Sequence, residues 1–251
     1  MTPKNYADKF FSAHHDASLR SARAVLPVVR EYVQPDSVVD VGCGGGTWLA
    51  AWKELGTSVV LGMDGAYVAG GDRVIDEREF LAVDLEIVIP VDRRYDLATC
   101  LEVAEHITPP NARRFVGSLC ALSDLVLFSA AIPGQGGTLH VNEQFPGYWQ
   151  EIFREFGFVA SDCLRRRLWN DDRIAWWYRQ NLLFYVRSDR VVEYPGLTVE
   201  PGPVLSLVHP ELFQLKCRRV EVAEDALGSP ASALWHFLKR YLRPLRACFR
   251  K

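Results

Sequence analysis

Residues 38–48 read Val-Val-Asp-Val-Gly-Cys-Gly-Gly-Gly-Thr-Trp. A β-branched run enters a glycine cluster, and a helical pattern (Leu49, Ala50, Trp52, Leu55) leaves it. That is a strand, a tight turn and a helix N-terminus. Glycines let the backbone take positive φ and let a ligand approach it closely. The first turn of a helix presents amide N–H groups without intrahelical partners, which favours a ligand with negative character. A small molecule, one containing a nucleoside, is expected here.

The spacing narrows the choice. A dinucleotide fingerprint needs G-x-G-x-x-G. Here Gly42, Gly44, Gly45 and Gly46 are followed by Thr47, so the last required glycine is missing. An acid, Asp40, sits inside the strand two places before the first glycine. An ordinary strand-to-helix turn with packing glycines is the plain alternative. The pattern resembles motif I of the class I S-adenosylmethionine-dependent methyltransferases. The resemblance implies that Asp40 lies near the methionine end of the cofactor, with the backbone of Gly42, Cys43 and Gly44 lining it.

A chain of 251 residues has room for one α/β domain with a full core and a small appendage. The apolar fraction of 49% and charged fraction of 24% are those of a soluble globular protein. A net charge of −2 exerts no general pull on nucleic acid, which is not an expected partner. The six cysteines are scattered, without a C-x-x-C pair, so no zinc knuckle or disulfide framework is indicated. The start, Met1 to Tyr6, has no apolar signal-peptide core, and no apolar stretch reaches spanning length. A reducing cytoplasm is the expected compartment.

Residues 6–33 carry a helical pattern that Pro27 bends or breaks. Strand-like runs follow near 37–41, 58–63, 79–83, 95–100 and 123–130, with helical runs near 46–55, 110–121 and 144–156. Such alternation means a parallel sheet with crossover helices. Two later β-rich runs, 158–166 and 179–187, are expected to form an antiparallel hairpin at the sheet edge. The resemblance implies a doubly wound, mostly parallel α/β sheet of seven strands, the Rossmann-like methyltransferase fold. The expected organisation is a methyltransferase domain with an N-terminal helical cap over 1–189, an irregular extension over 190–230 and a basic amphipathic tail over 231–251.

Asp64 ends the second strand, about twenty positions past the glycine turn, where an acid can accept from both hydroxyls of a ribose. Asp84 ends the third strand. The resemblance makes it an acceptor for the adenine amino group and puts Leu85 against the ring, although Asp84 also suits a turn or helix cap. The fourth strand runs into Leu101-Glu102-Val103-Ala104-Glu105-His106, which resembles motif IV and implies that the Leu101–Glu102 backbone lies by the sulfonium. Glu102, Glu105 and His106 crowd the C-terminal edge of the sheet, where α/β proteins bind ligands. His140 follows in a glycine-rich loop expected at the same edge. In small-RNA 2′-O-methyltransferases a similar E-x-x-E-H run joins a later histidine to bind Mg²⁺ or Mn²⁺. That resemblance implies a metal set of Glu102, Glu105, His106 and His140. The alternative makes His140, with His106 beside it, a catalytic base working near neutral pH.

Aromatic residues gather late (Tyr148, Trp149, Trp169, Trp176, Trp177, Tyr178), suited to a sugar or ring as well as to core packing. Residues 231–251 interleave apolar residues with Lys239, Arg240, Arg243, Arg246, Arg250 and Lys251, a pattern that suits an anionic surface at the inner face of the membrane and equally a helix packed on the domain or a solubilising end. The expected activity is O-methylation of a small hydroxylated acceptor, with a sugar of a surface glycan or glycolipid as the favoured one. Methylation of nitrogen or of an RNA ribose, and a non-catalytic protein that binds S-adenosylmethionine, are the alternatives.

Overall fold

Every residue of the runs 37–41, 97–101 and 125–129 is buried, because both faces of these strands are covered. The computed structural model describes residues 17–68, 73–87 and 89–227. Seven strands form one sheet: β1 (Ser37–Val41), β2 (Val59–Asp64), β3 (Phe80–Ala82), β4 (Leu97–Leu101), β5 (Leu125–Ser129), β6 (Phe158–Ser161) and β7 (Leu183–Arg187). Their order is β3-β2-β1-β4-β5-β7-β6. The first five pair in parallel, and β7 pairs antiparallel with both β5 and β6.

The helices are α1 (17–29), α2 (Thr47–Glu54), α3 (Pro109–Leu122), α4 (Pro146–Glu155), α5 (Arg165–Leu168), α6 (Trp176–Asn181) and α7 (Pro210–Leu227). Strand side chains alternate between two cores. Val39, Val41, Cys100 and Phe128 share one with Phe115 and Leu119 of α3 and Trp149 and Phe153 of α4. Val38, Leu97, Leu125 and Leu127 share the other with Val25 and Leu26 of α1 and Leu49 and Trp52 of α2. The result is a doubly wound three-layer α/β unit. Strand order reverses beside β1, with β2 on one side and β4 on the other. Such a switch point opens a crevice at the carboxyl ends of the strands.

Two runs differ from their sequence reading. The run 158–166 is strand only over β6; Arg165, 1% exposed, turns inward in α5 and donates to Asp162 and to the Leu205 carbonyl. The run 179–187 begins as the end of α6, so β7 starts at Leu183. β6 and β7 pair antiparallel at the sheet edge as expected, with two short helices between them.

The chain divides into two compact units, one ending at Leu207 and the other beginning at Val208. Within 190–230, read as irregular, the second unit contains the 18-residue helix α7. The first sixteen residues and the basic tail at 231–251 lie outside the described residues. Among the described residues no helix is long and apolar enough to cross a membrane.

Candidate functional site

The glycine turn connects β1 to α2 through backbone that only glycine adopts cheaply. Gly42 has φ +83° and Gly46, which caps α2, has φ +84°. A Cβ on Gly42 would lie 2.3 Å from a methyl of Val103, so the turn closes directly on the segment after β4. Asp64 at the end of β2 is buried and knits this turn together. Its Oδ2 accepts from the Gly44 amide at 2.8 Å; its Oδ1 accepts from the Gly65 amide at 2.6 Å and the Tyr67 hydroxyl at 2.8 Å.

A cleft of ≈ 890 Å³ opens at this carboxyl edge, lined among others by Gly42, Asp64, Asp84, Leu85, Glu102 and His106. Asp84 is exposed and accepts from the Glu86 amide at 2.9 Å, a turn of its own. The other expected cofactor residues, Asp40, Cys43, Gly44 and Leu101, do not line the cleft with their side chains. Cys43 and Leu101 pack into the core shared with α1 and α2. Asp40 is 3% exposed and accepts from the Thr99 hydroxyl at 2.6 Å. Burial pushes its carboxyl up to about 7, against the Thr99 hydrogen bond and with help from the Asp64 charge.

The residues expected to carry the chemistry fall into two groups. Glu105, His106 and His140 bring one ligand atom each within 4.8 Å of one another. The two imidazoles meet edge to face, with ring centroids 4.9 Å apart. His140 Nδ1 lies 2.8 Å from Glu143 Oε1, and His140 Nε2 lies 3.9 Å from Glu105 Oε1. His106 Nδ1 faces the Leu139 carbonyl at 3.3 Å. Glu105 is 1% exposed, and neither of its carboxyl oxygens has a hydrogen-bond partner among the described residues. Burial, then the Glu102 charge, drives its pKa well above the carboxylate range; the nearby amides of Glu105 and Ala131 pull the other way without closing a hydrogen bond. Desolvation, then the proximity of His140, lowers His106.

Glu102 stands apart from that trio. Its Oε2 accepts from Gln135 at 2.7 Å and its Oε1 from Asn181 at 3.0 Å. Gln180 donates in turn to Gln135 and Asn181, at 3.2 and 2.9 Å. Burial raises the Glu102 pKa, opposed by the Asn181 and Gln135 hydrogen bonds. Glu102 also adopts φ +58°, an unusual conformation for a residue with a side chain, held by its amide bonding Ser129 O at 2.9 Å and Ser129 Oγ at 3.1 Å. The four-residue set read from sequence is thus three residues plus a carboxylate held by buried amides.

Sequence reasoning missed Gln135, Glu143, Gln180 and Asn181. Glu143 carried a signal, being three residues after His140 in the same loop. Asn181 and Gln180 carried none, because their stretch read as strand and only the packing of α6 turns them toward β4. Of the late aromatics, Trp149 is in the core and Tyr178 stacks edge-on against Trp48 at 5.0 Å.

This is the crevice of a doubly wound fold that takes a nucleoside-containing ligand, and comparison with known proteins gives the class a name. A family model described as a methyltransferase domain matches residues 13–178. The chain belongs to that family, the class I S-adenosylmethionine-dependent methyltransferases. A ubiquinone biosynthesis O-methyltransferase from Leptothrix cholodnii is 36% identical over 83 residues, which cover 29% of this chain and 34% of the relative. The chain thus matches about a third of that curated relative's length. Among solved structures, the sugar N-methyltransferase KedS8 from Streptoalloteichus superposes with a TM-score of 0.55 at 16% identity, over 72% of this chain and 92% of that one. A Haloferax volcanii complex of a methyltransferase with its activator gives 0.51 at 17% identity, over 73% and 95%. Both share the fold.

Proposed function

We propose that the protein methylates a hydroxyl group of a small acceptor, with S-adenosylmethionine as donor. The observation that carries this reading is the contact of His140 with Glu143. An ionised carboxylate only accepts hydrogen bonds, so the proton between them belongs to Nδ1. In the neutral imidazole the lone pair is then at Nε2, beside His106 and the unpartnered oxygens of Glu105. A hydroxyl is a poor nucleophile at neutral pH and gains from such a proton acceptor.

The cleft fits the donor. Asp64 presents two carboxyl oxygens at the end of β2, where they can accept from a ribose diol in exchange for Tyr67 and Gly44. Asp84 and Leu85 line the same cleft as Asp64, Gly42 and Glu102 and are the side chains available to an adenine there. When bound, S-adenosylmethionine supplies a methyl group on a sulfonium centre. The protein's part is to fix the acceptor against that methyl and to hold the departing proton at His140 Nε2.

The same trio fits a divalent cation. Two imidazole nitrogens and a carboxylate oxygen suit Mg²⁺, Mn²⁺ or a related ion, and the orphaned buried oxygens of Glu105 are what such a site leaves when nothing else partners them. An ion there would polarise the acceptor hydroxyl. Glu102 was expected as a further ligand, but its carboxylate is already committed to Gln135 and Asn181.

The acceptor reading is a sugar of a glycan or glycolipid. Its support is the basic amphipathic sequence of residues 231–251, which suits association with an anionic membrane surface. The Leptothrix relative's name also points to oxygen as the methylated atom. Methyl transfer from labelled cofactor to lysate fractions split into lipid, glycan, RNA and small molecules tests the reading. Label is expected in glycan or lipid. His140→Ala is expected to lower turnover by roughly 10²–10⁴-fold with cofactor affinity preserved. Asp64→Ala is expected to weaken cofactor binding by about 1–3 kcal/mol. Chelator abolishes activity if a cation takes part and leaves it intact if His140 acts alone. Full activity of His140→Ala, or no binding of S-adenosylmethionine by calorimetry, overturns the proposal.

A further inference from the structure

We infer that Glu143 is the positioning residue of this site: it fixes the tautomer and the orientation of His140 and thereby decides which nitrogen is offered to the reaction. The inference rests on the reading of His140 just given and adds a residue that neither the sequence motifs nor the comparisons assign.

Glu143 is part-buried and bonded within its own loop. Its Oε2 accepts from the Gly134 amide at 2.8 Å, and its Oε1 accepts from the Gly136 amide at 2.7 Å and faces His140 Nδ1 at 2.8 Å. Gly134 and Gly136 take φ +81° and +77°, so the loop curls round the carboxylate in backbone conformations that suit glycine. Both carboxyl oxygens are thus held by backbone amides of the same loop, and the acceptor is in place before any ligand arrives.

The imidazole is confined from the other side too. A Cβ on Gly137 would meet His140 Nε2 at 2.1 Å, so the ring lies against a position with no side chain. The next turn of the loop is pinned by the Val141 and Asn142 amides, both donating to the Glu105 carbonyl at 2.9 Å. The loop therefore ties the ring to the segment that carries Glu105 and His106. With the Nδ1–H given to Glu143, the neutral ring presents its lone pair at Nε2, next to Glu105 Oε1. Without Glu143 either tautomer is open, and the Nε2–H form would neither take a proton nor hold a cation at that position. A carboxylate behind an imidazole is the general device for setting its tautomer and raising its basicity.

The test is a long-range ¹H–¹⁵N spectrum of the metal-free, full-length protein, with His140 assigned by its loss in His140→Ala. The wild type should show His140 protonated at Nδ1 and bare at Nε2. Glu143→Ala should convert it to a mixture or to the Nε2–H form. Glu143→Gln, whose carbonyl still accepts from Nδ1, should restore the wild-type tautomer. The Val141 and Asn142 amide signals serve as the control for an intact loop. A wild-type His140 protonated at Nε2 overturns the inference. So does an unchanged tautomer in Glu143→Ala. Should Glu143→Ala unfold the loop, Glu143→Gln decides alone: the inference falls if that variant carries Nε2–H. None of these signals depends on methyl transfer. A correct tautomer in a protein that transfers no methyl group would sink the proposed activity and leave the role of Glu143 standing.

Discussion

Asp40 shows how one buried side chain couples the cofactor strand to stability. Its carboxyl is raised from 3.8 to about 7 by burial, with Thr99 as its hydrogen-bond partner. A carboxyl with a raised native pKa binds more protons folded than unfolded. Stability is then greatest at low pH and falls as pH rises through that window, levelling off above about 7. Asparagine is isosteric, keeps an oxygen for Thr99 and has no charge to bury. Asp40→Asn should therefore be more stable than the wild type at pH 8, by roughly 1–4 kcal/mol, with the gap closing toward pH 5. Denaturant midpoints of the ligand-free proteins at both pH values measure this. Parallel pH curves for the two proteins would show that Asp40 is not titrating there.

At the scale of elements, Glu86 fastens the rim of the cleft to α3. Its Oε1 accepts from the Thr108 amide at 2.8 Å, and its Oε2 accepts from the Thr108 hydroxyl at 2.9 Å and from the Asn111 side chain. Thr108 is the N-cap residue of α3 but makes no side-chain cap of its own, so a glutamate from a distant loop does the capping. Burial opposes ionisation of Glu86, but the Asn111 and Thr108 hydrogen bonds outweigh it and hold its pKa below 4.5. A depressed carboxyl contributes stability above its unfolded pKa and loses it as pH falls. Glu86→Ala should cost about 1–2 kcal/mol at neutral pH, the usual worth of a cap. That deficit should shrink below about pH 4 as the wild-type carboxyl protonates. Because Asp84 and Leu85 precede Glu86, the same variant should also weaken cofactor binding. A full-size stability loss at acid pH would assign the effect to packing.

For the whole molecule, the sheet unit and the basic tail make separable predictions. The cleft at the carboxyl edge, where the cofactor is proposed to bind, is lined by residues before position 140. Removing residues 231–251 should therefore leave S-adenosylmethionine affinity unchanged. The tail's alternation of apolar and basic residues should confer co-sedimentation with vesicles rich in anionic lipid, weakened by salt. Equal sedimentation of the full-length and shortened proteins would refute the membrane role. Loss of folding on truncation would instead assign the tail to the packed core.

The sheet and the glycine turn at its carboxyl edge were legible along the chain. Strand, glycine turn and helix are local features, and continuous apolar strands such as Val38–Val41 or Leu125–Phe128 announce their burial on both faces. The place of Asp64 at the end of the second strand was legible for the same reason, since its distance from the glycine turn is set by one βαβ unit. The side-chain groupings at the site come from packing that no local pattern encodes. That packing drew Glu105, His106 and His140 together from two loops and sent Glu102 instead to Gln135 and Asn181. Only the ends of the segments at 158–166 and 179–187 depart from strand, where their polar residues, Arg165, Gln180 and Asn181, are buried by partners far along the chain. A run of apolar residues carries its energy of burial wherever it packs. A buried carboxylate or amide is stable only with particular donors and acceptors beside it, and in this protein those lie up to 79 residues away.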